Sequence, residues 1–139
     1  MSWRRIVLGG VAAGGVINLL DLTANFLLFR HAWGRAYDAL HLAPDYGSVG
    51  LFWLIFNLLS GLLIAWLQAA LRPRYGPGAG ASVRAALVLW IILHGTLASH
   101  VVDGVFPASL LAATAACELV SNLLAALVAG RLYVEEPAG

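Results

Sequence analysis

The sequence predicts an all-α integral membrane protein: an antiparallel four-helix bundle with both termini cytoplasmic. Three observations carry that reading. Of 139 residues, 61% are hydrophobic and 11% charged, with a mean hydropathy of +0.86, whereas a soluble domain carries about 25% charged residues. The apolar residues gather into four runs, about 6–29, 48–71, 84–106 and 108–131, each close to the roughly 20 residues that cross a bilayer. The basic residues are all arginine and fall unevenly among the intervening segments, which sets direction.

The first run follows MSWRR and is longer than the apolar stretch of about 7–15 residues in a signal peptide. It therefore reads as an uncleaved span. The next segment, RHAWGRAYDALHLAPDYGS, is polar and holds Pro44. Its His31, Asp38, His41 and Asp45 read as solvated loop, with a lid over the outer mouth as the sharper alternative. The second run stops at RPRYGPGAGAS, whose prolines and glycines let neither neighbouring helix continue. The arginines of this basic turn suit anionic headgroups. The third connection, GVFPAS, is short, and Pro107 opens the fourth helix where its missing N–H costs nothing. Arg4, Arg5, Arg72, Arg74, Arg84 and Arg131 fall on one side, Arg30 and Arg35 on the other, which puts both termini inside. Trp3, Trp33, Trp53, Trp66, Tyr46, Tyr75 and Tyr133 lie near span ends, as interface anchors do, while Trp90 is deeper and packs. The whole chain, 1–139, reads as one transmembrane domain.

Residues at i, i+3, i+4 and i+7 share a helix face. On that spacing the first span aligns Gly10, Gly14, Asn18, Asp21 and Asn25, and the second Trp53, Asn57, Ser60, Ile64 and Gln68. The third aligns Thr96, Ser99, His100 and Asp103, with His94 about 120° from His100 at the edge of the face. The fourth aligns Thr114, Glu118, Ser121, Ala125 and Ala129, with Cys117 and Asn122 beside them. Lipid does not solvate such stripes, so they turn inward. At about 1.5 Å per residue, Asp21 lies roughly 12 Å below the outer end, His100 roughly 9 Å, Asn57 and Glu118 about 14–15 Å and His94 about 18 Å. Small residues on the inner half then suggest a pocket open outward. A faint internal echo, NLLSGLLIAWL from Asn57 and NLLAALVAGRL from Asn122, is equally well explained by chance in a Leu/Ala-rich chain.

The ligand or ion candidates are Asn18, Asp21, Asn25, Asn57, His94, His100, Asp103, Glu118 and Asn122. Asp21 and Glu118 serve either as interhelical glue or as a proton, cation or ligand site. Glue is a weak reason to use an acid, since such bonds in membranes average only about 0.6 kcal/mol. His100 and Asp103, three residues apart, orient each other as a hydrogen-bonded pair. With Asp21 and Glu118 they would also make an N/O metal set suited to zinc, manganese or iron. Haem is disfavoured, because His94 and His100 point apart on one helix. His94 alone reads as a hydrogen-bonded core residue. Net charge is +1, which gives no field for nucleic acid, and the single cysteine forms no disulfide within the chain. No phosphate-binding glycine loop or nucleophile elbow is present, and no reaction or cofactor is assigned.

The stretch LQAALRPRYGPGAGAS (67–82), after an apolar helix in a short four-span chain, resembles a group of small uncharacterised bacterial membrane proteins. They carry an RPR-aromatic-GPG turn between spans two and three and a first span of the type Gly14, Gly15, Asn18, Asp21. The resemblance implies a bacterial inner membrane and a four-helix fold, and it brings no catalytic role. His100 and Asp103 fall outside it. Two functions remain: an accessory or structural subunit with a polar core, or a proton, metal-ion or small-molecule site of Asp21, His100, Asp103 and Glu118. The Gly10/Gly14 pair lets another helix approach closely, in a homodimer or a larger membrane complex.

Overall fold

The computed structural model describes residues 2–133, whose regular elements are all helices, with no strand among them. Helix α1 (Trp3–Ala24) runs through a wide π turn (Asn25–Phe29) into α2 (Arg30–Ala39); α3 (Tyr46–Tyr75), α4 (Ala79–Val102) and α5 (Ala108–Leu132) follow. Four helical stretches are long and apolar enough to cross a membrane: Trp3–Ala39, Tyr46–Tyr75, Ala79–Val102 and Ala108–Leu132. Helix α1 packs on α3 and α5, and α4 closes the group against α5 and α3.

Small residues make the interior. Ala13, Ala65, Ala69, Ala86, Ala125, Ala126 and Ala129 join Ile6, Ile17, Ile64, Leu89 and Tyr133 in one buried cluster. Leu19, Phe26, Leu27, Leu51, Phe52, Ile91 and Ile92 face outward. A water-soluble bundle reverses that order. Here lipid solvates the large side chains, and close backbone packing holds the helices. The Gly10/Gly14 pair is used inside the chain. A Cβ on Gly10 would lie 2.7 Å from Leu62 Cα, one on Gly14 2.7 Å from Leu58 Cα, and one on Gly61 would run into the Gly14 backbone. That stripe is therefore filled by α3 and is not open to a second copy.

Two segments differ from the sequence reading. The polar segment after the first span is not a loop throughout. Residues Arg30–Ala39 are helical, because Trp33, Ala36, Tyr37 and Leu40 repeat at helical spacing and give that segment an apolar face. Its charges, Arg30, His31, Arg35 and Asp38, lie on the exposed side. A helical run from Trp3 to Ala39 is about 55 Å long at 1.5 Å per residue, longer than the hydrocarbon core of about 30 Å, so the run exceeds what a span needs. The RPRYGPG segment is likewise mostly helix. Pro73 sits in the last turn of α3, where only one backbone bond is forfeited, and the chain turns at Gly76, φ 78°. Pro107 precedes α5 as its cap, with Ala108 the first helical residue.

Candidate functional site

The polar stripes are knitted to one another more than they line a space. Asn18, on the buried face of α1, donates from Nδ2 to the Leu54 carbonyl at 3.1 Å and accepts at Oδ1 from Asn57 Nδ2 at 3.2 Å. Both asparagines are buried. Trp90 crosses from α4 to α5, its Nε1 donating to the Ala115 carbonyl at 2.8 Å, so it packs as expected. Asn25 holds the π turn: its Nδ2 donates to the Asp21 carbonyl at 2.9 Å, and its Oδ1 accepts from Trp33 Nε1 at 3.0 Å. Asn122 is buried on α5.

Three ionisable side chains meet among α1, α4 and α5. His94 Nδ1 lies 3.0 Å from the Trp90 carbonyl, and Nε2 lies 3.1 Å from Glu118 Oε2. Oε2 lies off the line of the ring N–H, so Nε2 has an ion-pair approach without a linear hydrogen bond. The two side chains are 11% and 20% exposed. The His94 ring stacks on Trp90 at 5.1 Å. Asp21 reaches the same place from α1: Glu118 and His94 act on it electrostatically, Ser121 beside it donates its Oγ hydrogen to the Cys117 carbonyl at 3.2 Å, and Asp21 Oδ1 is buried without a partner.

His100 and Asp103 stand elsewhere. The His100 ring stacks on Phe106 at 6.2 Å and lies 3.3 Å from Ser99 Oγ. Asp103 is exposed at the C-terminal end of α4. Thr96 and Ser99 are exposed too and bond the carbonyls of their own helix, at Ile92 and Thr96. A serine or threonine that satisfies itself this way needs no neighbouring helix, so the C-terminal half of the α4 stripe does not face inward. Among the described residues no three His, Cys, Asp or Glu side chains are placed to hold a metal ion. The expected set of Asp21, His100, Asp103 and Glu118 is thus not gathered, and His94 takes the place given to His100.

A signal for this was available. The α4–α5 connection is short and centred on Phe106. His94, twelve residues before it, stands level with Glu118, twelve after it, whereas His100 stands level with Ala112.

The end of the bundle at the C-terminal turns of α3 and α5 holds a second polar group that the sequence reading assigned to the membrane surface. Arg72 is buried, its Nη2 donates to the Gly130 carbonyl at 2.8 Å, and its guanidinium lies 4.7 Å from the Tyr133 ring centre. Arg72 therefore does not face headgroups, and Tyr133 is a packed residue instead of an exposed anchor. Outside the spans, Asp45 caps α3: its carboxylate accepts from Ser48 Oγ at 2.6 Å and from the Gly47 N–H at 3.1 Å. Those bonds, the Ser48 one foremost, hold its carboxyl below the ordinary aspartate range. A groove of about 640 Å³ lies between α2 and the α4–α5 turn, lined by Ala32, Arg35, Ala36, Phe106 and Leu110 among others. None of the polar-stripe residues borders it, so the expected outward pocket is not built from them.

Compared with protein-family models, with curated proteins and with solved structures, the chain matches none.

Proposed function

We propose that this chain is an accessory or structural subunit of a bacterial inner membrane, an antiparallel four-helix bundle with both termini cytoplasmic. Its polar core fixes helix register so that a defined outer face meets a larger membrane complex. The arginine distribution supports the orientation, and the RPR-aromatic-GPG resemblance supports the bacterial membrane. One observation carries the functional reading: the Asn18–Asn57–Leu54 set closes on itself between α1 and α3. A side chain committed to a neighbouring helix on both its donor and acceptor sides is poorly free to bind cargo. A single buried polar contact of this kind sets register, because sliding either helix leaves its partner unpaired in a medium without water.

The test is a comparison in reconstituted vesicles and in mixed micelles. Asn57→Leu, which leaves Asn18 Oδ1 without its donor, is expected to cost about 1–2 kcal/mol of unfolding free energy. Asp21→Asn and Glu118→Gln are expected to leave insertion and complex formation intact, since amides still bond. Proton or solute flux through wild-type vesicles that Asp21→Asn abolishes would reject the structural reading.

A further inference from the structure

We propose that His94 and Glu118, with Asp21 beside them, form a proton-binding site inside the membrane. The pair carries one proton more than a neutral imidazole and an ionised carboxylate hold between them. This goes beyond the register role, which any polar pair at these positions would fill.

The argument rests on which atoms accept. The Trp90 carbonyl offers only lone pairs, so Nδ1, 3.0 Å away, must carry a hydrogen. In a neutral ring the other nitrogen is then a bare lone pair. That nitrogen, Nε2, is shielded from solvent and faces Glu118 Oε2 at 3.1 Å. A lone pair against a carboxylate oxygen repels, and no water is at hand in hydrocarbon to relieve it. A proton on either atom removes the repulsion: on Nε2 it leaves imidazolium paired with carboxylate, and on Oε2 imidazole beside a carboxylic acid. Release leaves the neutral ring, with its hydrogen on Nδ1, and ionised Glu118.

The surroundings favour retention. From α5 the ionisable groups are Glu118 and, one residue before it, the Cys117 thiol, and from α1 it is Asp21, whose buried Oδ1 has no partner. Helix α3 carries no ionisable side chain between Tyr46 and Arg72, and on α4 itself the nearest is His100, stacked on Phe106. Glu118 is thus ion-paired to the imidazole and Asp21 acts on it electrostatically, with no arginine at that depth. Uncompensated negative charge is costly there, and taking up a proton is the direct remedy.

The experiment is NMR of the His94 ring nitrogens and the Glu118 carboxyl in the full chain, reconstituted in lipid nanodiscs. The titration runs from about pH 5 to about pH 8, where an unperturbed imidazole changes charge. His94→Gln assigns the His94 signals, and Glu118→Gln assigns the carboxyl. At neutral pH the expected spectrum shows either both ring nitrogens protonated or a protonated Glu118. Glu118→Gln is expected to leave a ring with a single hydrogen, on Nδ1. Potentiometric titration should show wild type holding one proton more than Glu118→Gln at neutral pH. A wild-type ring with one hydrogen beside an ionised Glu118 at neutral pH would overturn the proposal. Should either variant fail to fold, sequential backbone assignment through Leu93–His94–Gly95 and Cys117–Glu118–Leu119 identifies the same signals in wild type.

Discussion

Gln68 is 1% exposed, and neither end of its amide has a hydrogen-bond partner. It crowds the notch at Gly130, where a Cβ would lie 2.5 Å from Ser82 Oγ and 3.3 Å from Gln68 Nε2. An unmade bond costs more than a made one returns, so apolar replacement should help. Gln68→Leu is expected to raise unfolding free energy by about 1 kcal/mol, read from denaturant midpoints in mixed micelles, and a fall of that size would show that the amide is bonded within the lipid-embedded protein. Helical spacing places Asn18, Asn57 and Gln68 on inward stripes correctly, since an amide is costlier to turn toward lipid than a hydroxyl that bonds its own helix. The same spacing is silent on Arg72. A long cationic side chain near a span end reaches headgroups or folds back with equal ease, and here the Gly130 carbonyl and the Tyr133 ring take it.

Helix α2 hangs from α1 by the π turn, and its outer contacts are aromatic: Trp33 meets the Phe106 ring at 5.4 Å and Tyr37 meets it at 6.1 Å, both edge to face. The extra residue of a π turn shifts helical phase, so the face of α2 that carries Trp33 is not a straight continuation of the α1 stripe. Asn25 secures that shift by bonding both the Asp21 carbonyl and Trp33. Asn25→Leu is therefore expected to loosen α2 while leaving the spans folded, seen as faster amide exchange confined to 30–39. Equal acceleration in α3 and α5 would show instead that Asn25 supports the whole group. The helical pattern of 33, 36, 37 and 40 was legible in the sequence, but the polar residues between them and Pro44 beyond favoured a loop. The α3 cap makes a pH prediction. Asp45 has a lowered folded pKa, so its cap is complete above the unfolded aspartate value of about 3.9 and is lost as pH falls through the lower folded value. Amide exchange in the first turn of α3 should rise only in that acidic window, and Asp45→Ala should show the fast rate at every pH.

All the spans are legible from hydropathy and loop composition, because a bilayer tolerates few backbone solutions. Which helix fills which groove is not legible. The Gly10/Gly14 motif reads equally as a dimer face or an internal one, since the sequence gives spacing but not the partner. The structure spends it on α3, with Gly61 opposite, and that decides what a bulky substitution does. Were the motif a dimer face, Gly14→Leu would leave monomers folded and shift only their association. Packed against Leu58 Cα, where even a Cβ has 2.7 Å, a leucine must push α1 away from α3 and break the Asn18–Asn57 contact with it. Overpacking of this kind costs about 1–3 kcal/mol or more, and each polar group left bare adds to it. Gly14→Leu is thus expected to lower the unfolding midpoint markedly while native mass shows no change in oligomeric state. Gly15, on the same helix with open space around it, supplies the control: Gly15→Leu should leave both readings where they are. Loss of an oligomer at unchanged stability in Gly14→Leu would place the motif between chains.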